Sequence, residues 1–380
     1  MNPSLALYIH WPFCVSKCPY CDFNSHVRGQ VDQRVWLDAL LADMRHEAAL
    51  TQGRTLGSIF FGGGTPSLMP PATVEALIAQ AEKLWGFEDN IEITLEANPS
   101  SVEAARFADL AKAGVNRVSL GLQALDNDAL EFLGRAHDVD EGLAALGTAQ
   151  QHFGRVTFDL IYARPDQRAK EWEAELARAL SFGTTHLSLY QLTIEPGTRF
   201  ATLVRQGKFT PADDDEAADL YALTQDMTLA AGLPAYEISN HAAPGQESAH
   251  NLAYWRYQDY AGIGPGAHGR RRTKATQRHK KPENFLSAIT RNGNGLAHED
   301  TLDSRTQAME ALLMGLRLRE GIDIDAMAGR FGLTSQQMID WDAFTKLRDI
   351  GLIEYRKPQL TVTPNGMPLL DAILPEVVNL

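Results

Sequence analysis

The segment "LYIHWPFCVSKCPYCDFNSH", residues 7–26, contains every cysteine of the chain: Cys14, Cys18 and Cys21. An odd number of thiols cannot pair completely as disulfides, and spacings this tight close no useful loop. Three thiolates at C-x3-C-x2-C can instead hold three irons of a cuboidal [4Fe–4S] cluster. The fourth iron then has no cysteine, and an open iron suits a ligand that carries both an amine and a carboxylate. A zinc ion completed by Asp22 or His26 is the competing use of the same thiols, although structural zinc usually draws on two separated pairs. Tyr20, directly before the last cysteine, fits an apolar cover over a cluster.

Elements that would position such a loop alternate along the first half of the chain. Strand patterns cover 5–11, 58–63, 91–97, 117–123, 155–162 and 186–192, with helical patterns at 33–50, 71–85 and 101–114 between them. Pro71 and Ser100–Ser101 are helix starters and Gly114 is a stopper. Six strand–helix units in series predict an α/β fold of parallel strands with helices outside, either an open sheet or a partial (β/α)6 barrel. Functional groups in both architectures gather at the carboxyl ends of the strands. The first strand runs into the cysteine loop, the second into "GGGTPS", the third into "EANPS" and the fourth into "GLQALD". The fifth and sixth run into "DLIYARPDQ" and "TIEPGTRF".

Composition narrows the function classes. The formal charge of −13 argues against an extended nucleic-acid surface. No apolar run approaches the roughly 18 residues of a bilayer-spanning helix. The N-terminal residues lack a basic region and a small-residue cleavage site, so clustered thiols point to a reducing cytoplasm.

The pattern changes after residue 235. Residues 236–303 form an aromatic- and glycine-rich extension containing "HNLAYW" (250–255), then a basic stretch with seven Lys/Arg in 270–281, read as a solvated hairpin. Helices followed by two short strands around Lys357–Pro358 make 304–380 a winged-helix-like domain. Its third helix, about 335–349, carries Lys346 and Arg348 against Asp340, Asp342 and Asp349, which favours a structural or partner-binding role over DNA binding. The acidic run at 210–220 suits a helix N-terminus.

C-x3-C-x-aromatic-C after an N-terminal strand, with a glycine-rich second strand end, resembles the radical S-adenosylmethionine (SAM) enzymes. The resemblance implies a partial (β/α)6 barrel for residues 1–235. It also implies a cluster whose free iron binds SAM, and an electron donor for that cluster. The segments "LEANP", "GVNRVSLGLQALD", "LGRAHD" and "YEISNHA" are similar to the oxygen-independent coproporphyrinogen oxidase group. By that similarity Tyr8 and Tyr20 lie near the methionyl part of SAM. Gly63, Gly64 and Thr65 would contact its amino group, and Glu96, Gln123, Arg135 and Asp159 its ribose and carboxylate. Taken singly, Gly62–Gly64 also reads as a tight turn, Arg135 as a surface ion pair and Glu96 as a helix-end charge.

Two departures stand out. The oxidases carry a further cysteine where this chain has Phe23. The fifth-strand loop, usually glycine-leucine-proline-glycine, reads Ala163, Arg164, Pro165, Asp166 here. "HNLAYW" resembles the H-N-x-x-Y-W motif of HemW-type haem chaperones. The resemblance implies haem binding by His250, Asn251, Tyr254 and Trp255, with His241 and His268 as further histidines in reach, and transfer to haem-acceptor proteins such as membrane respiratory enzymes. A neutral imidazole can ligate haem iron, and the two aromatic rings offer flat faces to a porphyrin; by residue type alone, His250 also reads as a hydrogen-bonded core histidine and the aromatics as ordinary packing. The alternative activity is oxidative decarboxylation of coproporphyrinogen III in porphyrin biosynthesis.

Overall fold

The computed structural model describes residues 4–379. Six parallel strands carry the architecture: β1 (Leu5–Trp11), β2 (Leu56–Gly63), β3 (Phe87–Ala97), β4 (Arg117–Gln123), β5 (Arg155–Tyr162) and β6 (His186–Gln191). Each pairs with the next in sequence. On the far side of β6, β7 (Asn240–Ala242) pairs antiparallel. On the far side of β1, β8 (Tyr260–Ile263) pairs parallel. The antiparallel strands β9 (His268–Arg271), β10 (Lys274–Arg278) and β11 (Leu296–Thr301) follow it. β1 and β6 do not pair with each other, so the eleven-stranded sheet is a partial barrel, as expected.

Period-2 alternation divides each strand into two faces. Leu7 and Ile9, Ile59 and Phe61, Ile93 and Leu95, Val118 and Leu120, Val156 and Phe158, and Leu187 and Leu189 join one apolar core. Leu40 and Met44 of the helix Gln33–Leu50 and Leu77 of the helix Pro71–Trp85 belong to the same core. The opposite face carries Tyr8 and His10, Ser58 and Phe60, Glu92, Thr94 and Glu96, Arg117 and Ser119, Thr157 and Asp159, and His186 and Ser188. Parallel strands covered on both faces normally read apolar throughout. A polar inner face therefore marks a lumen lined for binding or chemistry.

Helix starts follow their caps. Asp32 accepts from Arg34 N and Val35 N, and Asp213 accepts from Glu216 N at the head of Asp214–Ala230, where the acidic run sits. Two expected helices are split. The 101–114 pattern forms Ser101–Ala104 and Phe107–Lys112, with Glu103 turned inward onto Ser67 and Asn98. The 335–349 pattern forms Ser335–Met338 and Trp341–Asp349, because Asp340 is extended and caps the second helix through Asp342 N and Ala343 N.

The basic stretch is not a solvated hairpin. It contributes β9 and β10, and Arg270, Arg271 and Arg278 are buried. Arg278 is 0% exposed and reaches Asp43 at 3.2 Å and Glu47 at 2.5 Å, while Arg271 reaches Glu47 at 2.8 Å and Glu299 at 2.7 Å. Asp43 also accepts from Gly264 N and Gly295 N. The arginines thus hold the extension to the first helix of the barrel. Lys280 and Lys281 remain exposed.

Beyond residue 304, helices and the sheet β12 (Ile322–Asp323), β13 (Ile353–Arg356) and β14 (Gln359–Val362) surround a second apolar cluster, with β14 central. Tyr257, which precedes β8, is buried in that cluster. Among the described residues, no helix is long and apolar enough to cross a membrane.

Candidate functional site

At the carboxyl end of β1, the cysteine loop is closed at its base. Phe13–Cys14 pairs in parallel with His26–Val27, and His26 N donates to Pro12 O at 2.7 Å. The β2 end lies alongside, with Gly64 N bonded to Trp11 O and Thr65 N to Phe13 O. Gly63 has φ +114°, and a Cβ there would lie 2.5 Å from the His10 ring; one on Gly64 would lie 2.7 Å from Phe13 O. Only glycine fits between those neighbours. Burial pushes the Cys14 and Cys21 thiols up.

Arg135 is no surface ion pair. Its guanidinium donates to Cys18 Sγ at 3.3 Å, Asn98 Oδ1 at 2.7 Å and Gly121 O at 2.9 Å. Its Nε is buried without a hydrogen-bond partner. Tyr20 lies in the same corner, its hydroxyl pushed up by burial, and its ring 6.3 Å from that of Phe200. Glu96 Oε2 accepts from Gly63 N at 3.1 Å, so Glu96 is no helix-end charge. Burial, then the neighbouring Asp159, pushes Glu96 up to about 8; burial pushes Asp159 up to about 6. Gln123 ends β4 at φ +71°, an uncommon conformation for a non-glycine residue. Arg135, Tyr20 and Thr65 thus border the thiols, with Gly63 and Gly64 alongside. Glu96 bonds Gly63 N and neighbours Asp159, Gln123 ends the next strand, and Tyr8 lies deeper, its ring 6.3 Å from that of His250.

This donor set fits a cluster and a charged organic ligand. The loop offers three sulfurs, a buried arginine N–H without a partner lies on Arg135 beside Cys18, and Glu96 and Asp159 are buried close to each other. Among the described residues no three His, Cys, Asp or Glu side chains close on one metal-sized point.

HNLAYW lies at the other end of the barrel. The helix Ala249–Trp255 is seated under the amino ends of the strands. Glu92 of β3 accepts from Ser248 Oγ, Ala249 N and His250 N, and Arg155 of β5 donates to Gln246 O and Glu247 O. Burial works against the Glu92 charge, but Arg117, Arg155 and the backbone N–H groups hold its carboxyl below the usual range. His250 is 1% exposed. Its Nδ1 meets Ser58 Oγ at 2.9 Å, its Nε2 meets Tyr254 OH at 2.8 Å, and its ring stacks on Phe60 at 5.0 Å. Burial pushes His250 down to about 3, leaving it neutral at physiological pH.

Asn251 lies 3.4 Å from Tyr236 OH, and Arg317 stands over the Trp255 ring at 5.2 Å. His241 is buried in β7 opposite Leu187, and His268 is exposed on β9 beside Gln277. Ser58 and Gly63 are five residues apart on β2, about 16 Å along the strand, and Tyr8 stands between the two groups with its ring 6.3 Å from that of His250. The sequence reading named both groups but gave no sign that they lie at opposite ends.

It also missed the residues that hold them. His10 bonds Tyr8 OH through Nδ1 and Asn24 O through Nε2, each at 2.9 Å, and Asn24 ties the cysteine loop to Pro265 O and Lys280 O. Asn98 joins Thr65, Glu103 and Arg135. The alternation of Glu92, Thr94 and Glu96 within an otherwise apolar strand was the available signal for the inner face.

Residues 8–179 match the family model described as the radical SAM superfamily, and residues 302–369 match that of the HemN C-terminal domain. A mitochondrial radical S-adenosyl methionine domain-containing protein 1 from Mus musculus is 37% identical over 387 residues, spanning 97% of this chain and 86% of the relative. The chain belongs to the radical SAM superfamily. Within it, the chain stands with the coproporphyrinogen oxidase-like group on its HemW-type branch. The heme chaperone HemW of Escherichia coli K12 is 39% identical over 328 residues, 84% of each chain. The solved structure of E. coli coproporphyrinogen III oxidase, HemN, superposes with a TM-score of 0.84 at 22% identity, over 99% of this chain and 90% of that one. At that identity the superposition speaks for the radical SAM fold and C-terminal domain alone. The family implies SAM and a [4Fe–4S] cluster.

Proposed function

We propose that this chain is a haem chaperone. It takes up haem at the HNLAYW floor of its barrel and passes it to acceptor haem proteins, while the upper end holds a [4Fe–4S] cluster and SAM. The division of labour follows 1–235 as the barrel, 236–303 as the extension that supplies the floor, and 304–380 as a partner-facing domain. Cytoplasmic action, an electron donor for the cluster and acceptors among membrane respiratory enzymes belong to the same proposal.

The observation that carries it is a neutral imidazole, His250, fixed on three sides in a motif shared with haem chaperones. Cys14, Cys18 and Cys21 would hold the cluster. Arg135 and the Gly63–Thr65 backbone would receive the carboxylate and amine of SAM, and Glu96, Gln123 and Asp159 its ribose. When bound, the two groups supply one-electron chemistry. This chain's own residues would orient the ligand and hold Glu96 protonated near neutral pH.

Anaerobic preparations assayed in parallel for iron, SAM cleavage and haem binding test the proposal. Stoichiometric haem binding with no protoporphyrinogen formed from coproporphyrinogen supports it. Catalytic formation of protoporphyrinogen would replace it with the oxidase reading, despite Phe23.

A further inference from the structure

Side-chain donors surround the thiols of the cysteine loop. Thr65 and Ser25 reach Cys14, Tyr20 and the Arg135 guanidinium reach Cys18, the latter at 3.3 Å, and Ser25 Oγ lies 3.9 Å from Cys21 Sγ. A thiolate that ligates metal can only accept, so such a bond needs a neighbour that points a hydrogen at the sulfur. Two of these neighbours, Thr65 and Arg135, converge on one further residue. Asn98 donates from Nδ2 to Thr65 Oγ1 at 3.1 Å and accepts at Oδ1 from Arg135 at 2.7 Å.

The direction of each bond matters. A hydroxyl that accepts from Asn98 keeps its own hydrogen for another partner, and for Thr65 that partner is Cys14. Arg135 spends one NH2 on Asn98 and Gly121 O, which leaves the other for Cys18. Asn98 is itself fixed. It directly follows β3, and Pro99 restricts its backbone. Its N–H and its Nδ2 both donate to the Glu103 carboxyl, at 2.9 and 3.3 Å. Because Glu103 accepts there, the NH2 of Asn98 faces it and Oδ1 is left for Arg135. Glu103 stands three residues after the N-cap Ser100, as in a capping box, yet its carboxyl reaches on to Asn98 and takes Ser67 Oγ as well.

We infer that Asn98 is a positioning residue that aims Thr65 at Cys14 and Arg135 at Cys18, and so sets how readily a cluster held by those sulfurs accepts an electron. This deepens the cluster reading above and rests on it. Hydrogen bonds to the sulfurs are among the levers that set an iron–sulfur potential, and the outer partners of metal ligands orient them. A donor facing sulfur favours the reduced, more negative state. Two of the three thiols thus answer to a single amide, with Glu103 as the group that holds it.

Potentiometric titration of the anaerobically reconstituted full chain, followed by electron paramagnetic resonance without SAM, tests this on wild type, Asn98→Ala, Thr65→Val and the double variant. Asn98→Ala is expected to be about tenfold harder to reduce, which for a one-electron couple is a midpoint about 59 mV lower. Thr65→Val, which removes the hydroxyl and keeps the shape, moves the midpoint the same way by less. Because Asn98 acts through Thr65, the double variant falls short of the sum of the two shifts. A merely structural Asn98 would lower Tm and leave the midpoint where it was. That result, or additive shifts, overturns the inference. Should Asn98→Ala lose its iron, Thr65→Val decides alone, and an unchanged midpoint refutes it. Wild-type protein with no iron–sulfur resonance removes the cluster reading instead.

Discussion

Glu92→Gln is the sharpest test of how the barrel floor is held. The Glu92 carboxylate is almost wholly buried and serves two arginines and a helix start at once. It meets Arg155 at 2.7 Å, Arg117 at 3.9 Å, Ser248 Oγ at 3.2 Å, and the N–H groups of Ala249 and His250 at 3.1 Å each. Glutamine has nearly the same shape but removes the charge, and its NH2 faces donors where an acceptor is needed. Breaking a buried pair from one side costs about 3–5 kcal/mol, because the remaining charge stays buried without its partner. On a chain of this size that corresponds to a fall of about 4–6 °C in Tm.

The loss should be local before it is global. Proteolysis should open the segment 243–256, and haem affinity should fall while iron bound by the cysteine loop stays at its wild-type level. Glu88→Gln, exposed on the same strand, should change stability by less than about 0.5 kcal/mol. A Glu92→Gln protein with wild-type Tm and an equally protected 243–256 segment would show that Glu92 does not hold the HNLAYW helix in place.

Arg278→Met leaves Asp43 and Glu47 buried without that partner; a loss of about 3–5 kcal/mol is expected in denaturant unfolding, and a change below about 1 kcal/mol would contradict the buried ion network. Glu96 has its folded pKa raised, from 4.5 to about 8, so its contribution is present below pH 4.5 and is lost as pH rises towards 8. Ligand-free wild type should therefore lose Tm across that window while Glu96→Gln shows a shallower slope; parallel profiles would rule the carboxyl out. Gly63→Ala forces a Cβ against His10 at a left-handed φ, so SAM affinity measured by equilibrium dialysis should drop at least tenfold with iron content retained. Unchanged SAM affinity would remove the β2 end from the site.

Much of the barrel was legible because parallel strands announce themselves by apolar runs and punctuated helices, and all six appeared at their places. Boundaries moved where side chains act at a distance: Asp340 ends one helix by capping the next, and Glu103 turns inward where a continuous helix was expected. The three cysteines and the glycines of β2 were readable because spacing alone constrains them. The fate of the basic stretch was not, since Asp43 and Glu47, the buried carboxylates that Arg271 and Arg278 meet, lie more than two hundred residues earlier. Arg164 is similar. It departs from the usual loop sequence, and its guanidinium bonds Ile161 O at 2.8 Å and Glu175 at 2.6 Å. Ala163 and Asp166 on either side adopt φ +54° and +61°. The arginine neutralises itself against Glu175 and braces a loop that would be easier for glycine.

The separation of the two ends bears directly on which tetrapyrrole chemistry this barrel can perform. Hydrogen abstraction requires the reacting atoms to approach within about 3–3.5 Å. A tetrapyrrole undergoing decarboxylation must therefore lie at the upper end, against the SAM-side residues Tyr8, Glu96 and Asp159. One held at His250 would instead lie toward the amino ends of the strands, where that ring meets Ser58 and Phe60. The oxidase and chaperone readings thus place their ligands in different parts of one molecule. Coproporphyrin should compete with SAM-side ligands under the first reading and leave haem affinity unaltered under the second.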